Sequence, residues 1–123
     1  MKLLKRNDTI LVVDDDDSVR DYLSFFLTRH GYNVIEAENG QVAVDKYKQH
    51  NDIISVVLMD LDMPIKNGID ASYEIMEYRP DAKIILVSGY LQNYMTKIIV
   101  FDFIQKPYSP LELLKRIRQR IDA

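Results

Sequence analysis

Three stretches of the chain, residues 10–13, 56–59 and 84–87, are unbroken runs of aliphatic side chains. A strand with one wet face alternates between apolar and polar positions. A continuous run of this length points instead to a strand covered on both faces, as in a parallel sheet between two helical layers. Between the runs the period lengthens to that of an amphipathic helix. Val19, Tyr22, Leu23, Phe26 and Leu27 fall at i, i+3, i+4, i+7 and i+8, and Leu111, Leu114, Ile117 and Ile121 form a second stripe near the end.

Breakers and caps set the boundaries. Strand 1 covers residues 10–13, and the helix after it is capped by Asp16 or Asp17 and stopped by Gly31. A second strand spans 33–37, and Asn39-Gly40 opens a helix to about residue 49. The third strand ends at Asp60. Pro64 cannot continue a ladder, and Asn67-Gly68 reads as a turn before a helix over 69–78, broken at 79–81. The fourth strand, 84–87, ends in Ser88-Gly89, a short helix follows over 93–99, and a fifth strand covers 101–104. In the last helix Ser109 fits as N-cap, Pro110 as first residue and Glu112 as the returning member of a capping box.

Five strands alternating with five helices predict an α/β fold, a parallel sheet with helices on both faces. Right-handed crossovers then bring every strand's carboxyl end to one edge, where open α/β sheets bind ligands. That edge receives Asp14, Asp15, Asp60, Ser88 and Lys106.

Composition narrows the setting. The 123 residues suit one domain over 1–123, and 47% hydrophobic with 28% charged residues argues against disorder. The absence of cysteine removes disulfides and thiolate metal sites and is compatible with a cytoplasmic location. No apolar run is long enough to span a bilayer, and a net charge of −3 argues against non-specific nucleic-acid binding. Lys115, Arg116, Arg118 and Arg120 spread around the polar arc of the last helix as a solvated face.

The edge itself poses an electrostatic problem. Two like charges at ~4 Å repel by roughly 4 kcal/mol at an effective dielectric near 20. A hard divalent cation removes the conflict, and Mg²⁺ favours one or two carboxylates together with water and phosphate oxygens. Asp15 and Asp60 are then direct ligands, with Asp14 direct or through water. Asp60 can serve as nucleophile toward a phosphoryl group, with Lys106 on a phosphate oxygen and Ser88 donating to another. Taken singly, each residue has a plainer reading: a solvated helix start for 14–17, a surface lysine, a turn at Ser88-Gly89, a helix cap at Asp60.

Four segments in order, ILVVDDDDSVR (10–20), VVLMDLDMPIKNG (56–68), ILVSG (85–89) and FDFIQKPY (101–108), resemble the receiver domain of two-component response regulators. The resemblance covers essentially the whole chain and implies a flavodoxin-like doubly wound sheet of order 2-1-3-4-5. It implies Asp60 as phosphoacceptor from a sensor histidine kinase or phosphotransfer protein. It also implies Asp14 and Asp15 as the Mg²⁺ pair, the backbone carbonyl of Asp62 as a further ligand, and Ser88 with Lys106 around the phosphoryl group. The Lys106–Pro107 bond is expected cis, and Phe103 is the aromatic switch that follows Ser88. Output is expected through the face of the fourth helix, fifth strand and last helix, near Tyr90, Tyr94, Phe101 and Tyr108, toward a downstream protein, an output domain or a second copy. The Ser88–Lys106 connection is shorter than usual by about one helical turn, so the fourth helix should be short, distorted or absent. Tyr90, two residues after Ser88, should shield the phosphoryl group from water.

Two other readings stay open. Asp60-Leu61-Asp62 after an apolar strand also resembles the first motif of haloacid-dehalogenase-type phosphohydrolases, which implies Asp60 as nucleophile and Asp62 as general acid, although Met63-Pro64 follows where a threonine is usual. A receiver-like module that docks without phosphorylation is the other. No output domain follows Ala123 in this sequence, which suits either a chain that acts alone by docking or an excised domain.

Overall fold

Along Thr9–Val13, the first strand (β1), Ile10 and Val12 enter one buried cluster while Leu11 and Val13 enter another. Both faces of the strand are therefore dry, which is why its sequence does not alternate. The computed structural model describes residues 8–63, 66–94, 96 and 101–123. It contains β2 (Asn33–Ala37), β3 (Ile54–Asp60), β4 (Ile84–Ser88) and β5 (Asp102–Gln105), all parallel, in the order β2-β1-β3-β4-β5. This is the expected flavodoxin-like order.

The described α-helices are α1 (Asp17–Arg29), α2 (Gly40–His50), α3 (Gly68–Tyr78) and α4 (Pro110–Asp122). Leu23 and Leu27 of α1 and Leu113 and Ile117 of α4 cover one face of the sheet; Ala43, Val44 and Tyr47 of α2 and Ile69, Ala71 and Ile75 of α3 cover the other. Among the described residues after β4, Leu91–Asn93 form a 3-10 turn. The short helix expected over 93–99 falls mostly at residues 95 and 97–99, which lie outside the described residues.

Capping fixes where the helices begin. Asp16 accepts from the Ser18 and Val19 N–H groups at 2.9 and 3.3 Å, and Asn39 accepts from Val42 N–H at 2.9 Å. Asn67 caps α3 through Asp70 N–H at 3.0 Å, and Ser109 caps α4 through Glu112 N–H at 3.0 Å. Each cap satisfies a backbone donor that the first turn leaves unpaired.

Two expected apolar stripes need correction. In α4 the buried pair is Leu113 and Ile117, flanked by half-buried Leu114 and Ile121, while Leu111 is 66% exposed. Leu111 and Leu113 are two residues apart, about 200° around the helix, so burying one exposes the other. In α1, Tyr22 is 52% exposed and stacks on Phe26 at 5.9 Å rather than entering the core.

Candidate functional site

The sheet register brings the strand ends level. Val13 pairs with Met59, Asp60 with Val87, and Ser88 with Gln105. Asp14 follows Val13 and Lys106 follows Gln105, so Asp14, Asp60, Ser88 and Lys106 meet within a few inter-strand spacings of ~4.8 Å. Carboxylate oxygens of Asp14, Asp15 and Asp60 all lie within 4.8 Å of one another. Lys106 Nζ donates to Asp60 Oδ1 at 3.2 Å. The Lys106–Pro107 peptide is cis, as expected.

The backbone around these groups is pinned. Leu61 N–H donates to Val87 carbonyl oxygen at 2.9 Å, and Lys106 N–H to Ser88 carbonyl oxygen at 2.9 Å. Asp14 N–H donates to Ala37 carbonyl oxygen at 3.2 Å, and Arg20 holds the Asp14 carbonyl at 2.8 Å. Gly68 lies so close beneath β3 that a Cβ there would stand 2.4 Å from the Asp60 carbonyl oxygen. Gly40 has a similar role: its Cβ would meet the Lys66 carbonyl oxygen at 2.1 Å, where Lys66 itself is left-handed with φ 44°.

Burial makes the electrostatics costly. Asp14 is 5% exposed and Asp60 4%. Desolvation pushes the Asp14 carboxyl up to about 6, against the Asp16 N–H that favours the charged form. Burial likewise raises Asp60, opposed by the Asp62 N–H at 3.1 Å and by Lys106. For Lys106, burial acts to lower the pKa, yet Asp60, Asp14 and Asp62 together raise it, so the ammonium stays charged. A cluster of two buried carboxylates and the exposed Asp15, outnumbering its one lysine, fits a hard divalent ion, the donor set that Mg²⁺ prefers.

Ser88 is fully buried, and its hydroxyl donates to Asp62 rather than to Asp60. It lies 3.0 and 3.1 Å from the two carboxylate oxygens of Asp62, which also accept from Gly89 N–H and Tyr94 Oη, each at 3.4 Å. In the receiver resemblance Asp62 contributes only its backbone carbonyl. Nothing in the spacing of the sequence signals that its side chain would turn toward Ser88.

The aromatics divide between the two layers. Phe101 is buried and meets Tyr73 edge-on at 5.1 Å, and Phe103 is half-buried against the same cluster. Tyr108 packs on the opposite layer, where burial raises its phenol to about 12; the Tyr90 side is 59% exposed. On α4, Arg116 donates to the Phe103 carbonyl oxygen at 2.6 Å, Arg118 pairs with Asp8 at 3.2 Å, and Arg120 with Asp102 at 3.6 Å. These cations are engaged within the fold. Among the described residues no helix is long and apolar enough to cross a membrane.

Comparison with known proteins agrees with this geometry. The family model for the response regulator receiver domain matches residues 10–118. A chemotaxis protein CheY of Thermotoga maritima is 41% identical over 115 residues, covering 89% of this chain and 94% of that protein. A receiver domain protein of Clostridium thermocellum superposes with a TM-score of 0.87 at 26% identity, covering 94% of each chain. The CheX–CheY–BeF3–Mg²⁺ complex of Borrelia burgdorferi gives 0.84 at 31% identity, covering 91% of this chain and 87% of that one.

Proposed function

The chain belongs to the response regulator receiver family, and from that premise we propose that it is a signalling switch phosphorylated on Asp60 by a sensor histidine kinase or phosphotransfer protein. An Asp60 carboxylate oxygen attacks the donor's phosphorus. A P–O bond forms as the P–N bond to the donor imidazole breaks; the imidazole leaves with the bonding pair and takes a proton from solvent. The chain's own chemistry is confined to gaining and losing this one group.

Asp14, Asp15 and Asp60, with the backbone carbonyl of Asp62, are the groups that would hold Mg²⁺. When bound, the ion supplies positive charge against the phosphoryl oxygens. Lys106, 3.2 Å from Asp60, favours the charged carboxylate against the burial that raises its pKa, and is placed to pair with a phosphoryl oxygen. Ser88 provides the hydroxyl that engages the phosphoryl group once it is present, and Phe103 carries the change to the face of β5, α4 and the segment after β4. A downstream protein, an output domain or a second copy would read that face. The intramolecular pairing of Arg116, Arg118 and Arg120 supports a protein rather than a nucleic acid as the target.

One observation carries this reading: a 4%-exposed carboxylate ends the central strand, with Lys106 on one oxygen and two further carboxylates beside it. The Asp62 carboxylate accepts from Ser88, an arrangement that favours the receiver reading over a general acid of a phosphohydrolase. The test is intact mass after incubation with Mg²⁺ and a small phosphoryl donor. Wild type should gain one phosphoryl group only with Mg²⁺, and Asp60→Asn none. An unlabelled wild type, beside a control receiver that is labelled, would replace this reading with docking that needs no phosphorylation.

A further inference from the structure

The Ser88 hydroxyl has one proton to give, and in this structure it is given to Asp62. The two oxygen distances of 3.0 and 3.1 Å describe a single shared, charge-assisted bond. Ser88 Oγ in turn accepts from Tyr90 N–H at 2.9 Å, and Tyr94 Oη braces the same Asp62 carboxylate at 3.4 Å. Asp62 is also tied to the phosphoacceptor, because its N–H donates to Asp60 Oδ1 at 3.1 Å. The acceptor carboxylate, the Ser88 hydroxyl and the segment after β4 therefore form one connected hydrogen-bond path.

We propose that the Asp62 side chain is a latch, a positioning residue that holds the Ser88 hydroxyl away from Asp60 until a phosphoryl group outcompetes it. The inference rests on Asp60 being the phosphoacceptor. A phosphoryl group attracts the Ser88 proton and at the same time repels the Asp62 carboxylate, so it acts on both sides of the latch. The resting and switched forms differ in which anion the hydroxyl serves, the differential contact that a two-state switch requires. Tyr94, released with Asp62, passes the change to the segment after β4.

The test measures binding of beryllofluoride with Mg²⁺, a phosphoryl mimic, by calorimetry on a double-mutant cycle. Asp62→Ala should tighten binding roughly tenfold, as expected for removing a charge-assisted competitor. In a Ser88→Ala background the same substitution should change affinity by less than about twofold, because there is no hydroxyl to release. Asp62→Asn, which keeps a carbonyl acceptor, should fall between wild type and Asp62→Ala, and Tyr94→Phe should tighten binding by about two- to threefold. Without metal or mimic, the Gly89 and Tyr90 amide resonances should shift in Asp62→Ala, since both N–H groups belong to the network.

Equal tightening in both backgrounds would mean that Asp62 acts only as a repelling charge, and would overturn the latch. So would no tightening by Asp62→Ala in the chain that keeps Ser88, or unmoved amide resonances. A wild type that binds no beryllofluoride would refute Asp60 as phosphoacceptor instead, and would show it before any Asp62 variant is made.

Discussion

Replacing Asp14 by Asn should make the metal-free protein more stable at neutral pH, although it removes a residue of the site. In the folded chain burial raises the Asp14 carboxyl from 3.8 to about 6. An acid with a raised folded pKa binds its proton more tightly when folded. Its favourable contribution is therefore present at low pH and is lost as the pH rises from about 4 through about 6. At 1.36 kcal/mol per unit, a shift of about two units sets a ceiling of about 3 kcal/mol on the cost of ionising Asp14 in place. The amide of an Asn would still accept the Asp16 N–H, now 2.9 Å from Asp14 Oδ1, but it carries its own desolvation cost. A gain of about 1–2 kcal/mol is expected. Urea unfolding in chelator should show the variant more stable at about pH 7.5, with the gap closing toward about pH 4. A variant less stable than wild type at neutral pH, or a gap that ignores pH, would refute the assignment of buried charge as the source of strain.

Two other substitutions probe the surroundings of Asp60. Gly68→Ala places a methyl 2.4 Å from the Asp60 carbonyl oxygen and 2.9 Å from Leu61 Cδ2, so backbone must move; a loss of about 1–3 kcal/mol in urea unfolding is expected, together with slower labelling of Asp60. Unchanged stability would show that the contact relaxes freely. Tyr90→Ala removes an exposed ring two residues after Ser88 and should shorten the life of the aspartyl phosphate, followed as loss of the added mass; a longer life would count against shielding by Tyr90.

How much the sequence revealed depended on how far each feature is local. Strand ends were legible because each buried run stops at a charged or small residue, and the parallel topology then carries those residues to one edge. The backward extension of β3 to Ile54 was not, because Ser55 interrupts the apolar run; the structure satisfies its hydroxyl on Asp8 at 3.1 Å. The turn before α3 was placed at Asn67-Gly68 from residue type, yet Asn67 is the cap, Gly68 starts the helix and the left-handed residue is Lys66. There, close approach of Gly40 to the Lys66 carbonyl overrides local preference. The side-chain partner of Asp62 was beyond reach for the same reason. Two oxygens can turn either toward the carboxylate cluster or toward Ser88, 26 residues away, and only tertiary packing decides.

The two layers of the fold explain why the site can hold such a conflict. Asp14 follows β1 and Asp60 ends β3, two interior strands of the sheet, where each neighbouring strand is locked in register and both sheet faces are filled. A carboxylate on a loose loop would swing into water when its neighbour ionised. Here neither can, so desolvation, with repulsion of Asp14 by Asp60 and of Asp60 by Asp62, remains as raised pKa values rather than relaxing away. Lys106 contacts Asp60 but is outnumbered by carboxylates, and a phosphoryl group on Asp60 would add further negative charge. On this argument the cation and the phosphoryl group act together: the rigidity that makes the resting site unfavourable also prevents the phosphorylated site from dissipating its charge locally. The remaining outlet is the partly exposed side of the edge, where Asp62, Ser88 and Tyr94 share hydrogen bonds that can be exchanged without disturbing the strands.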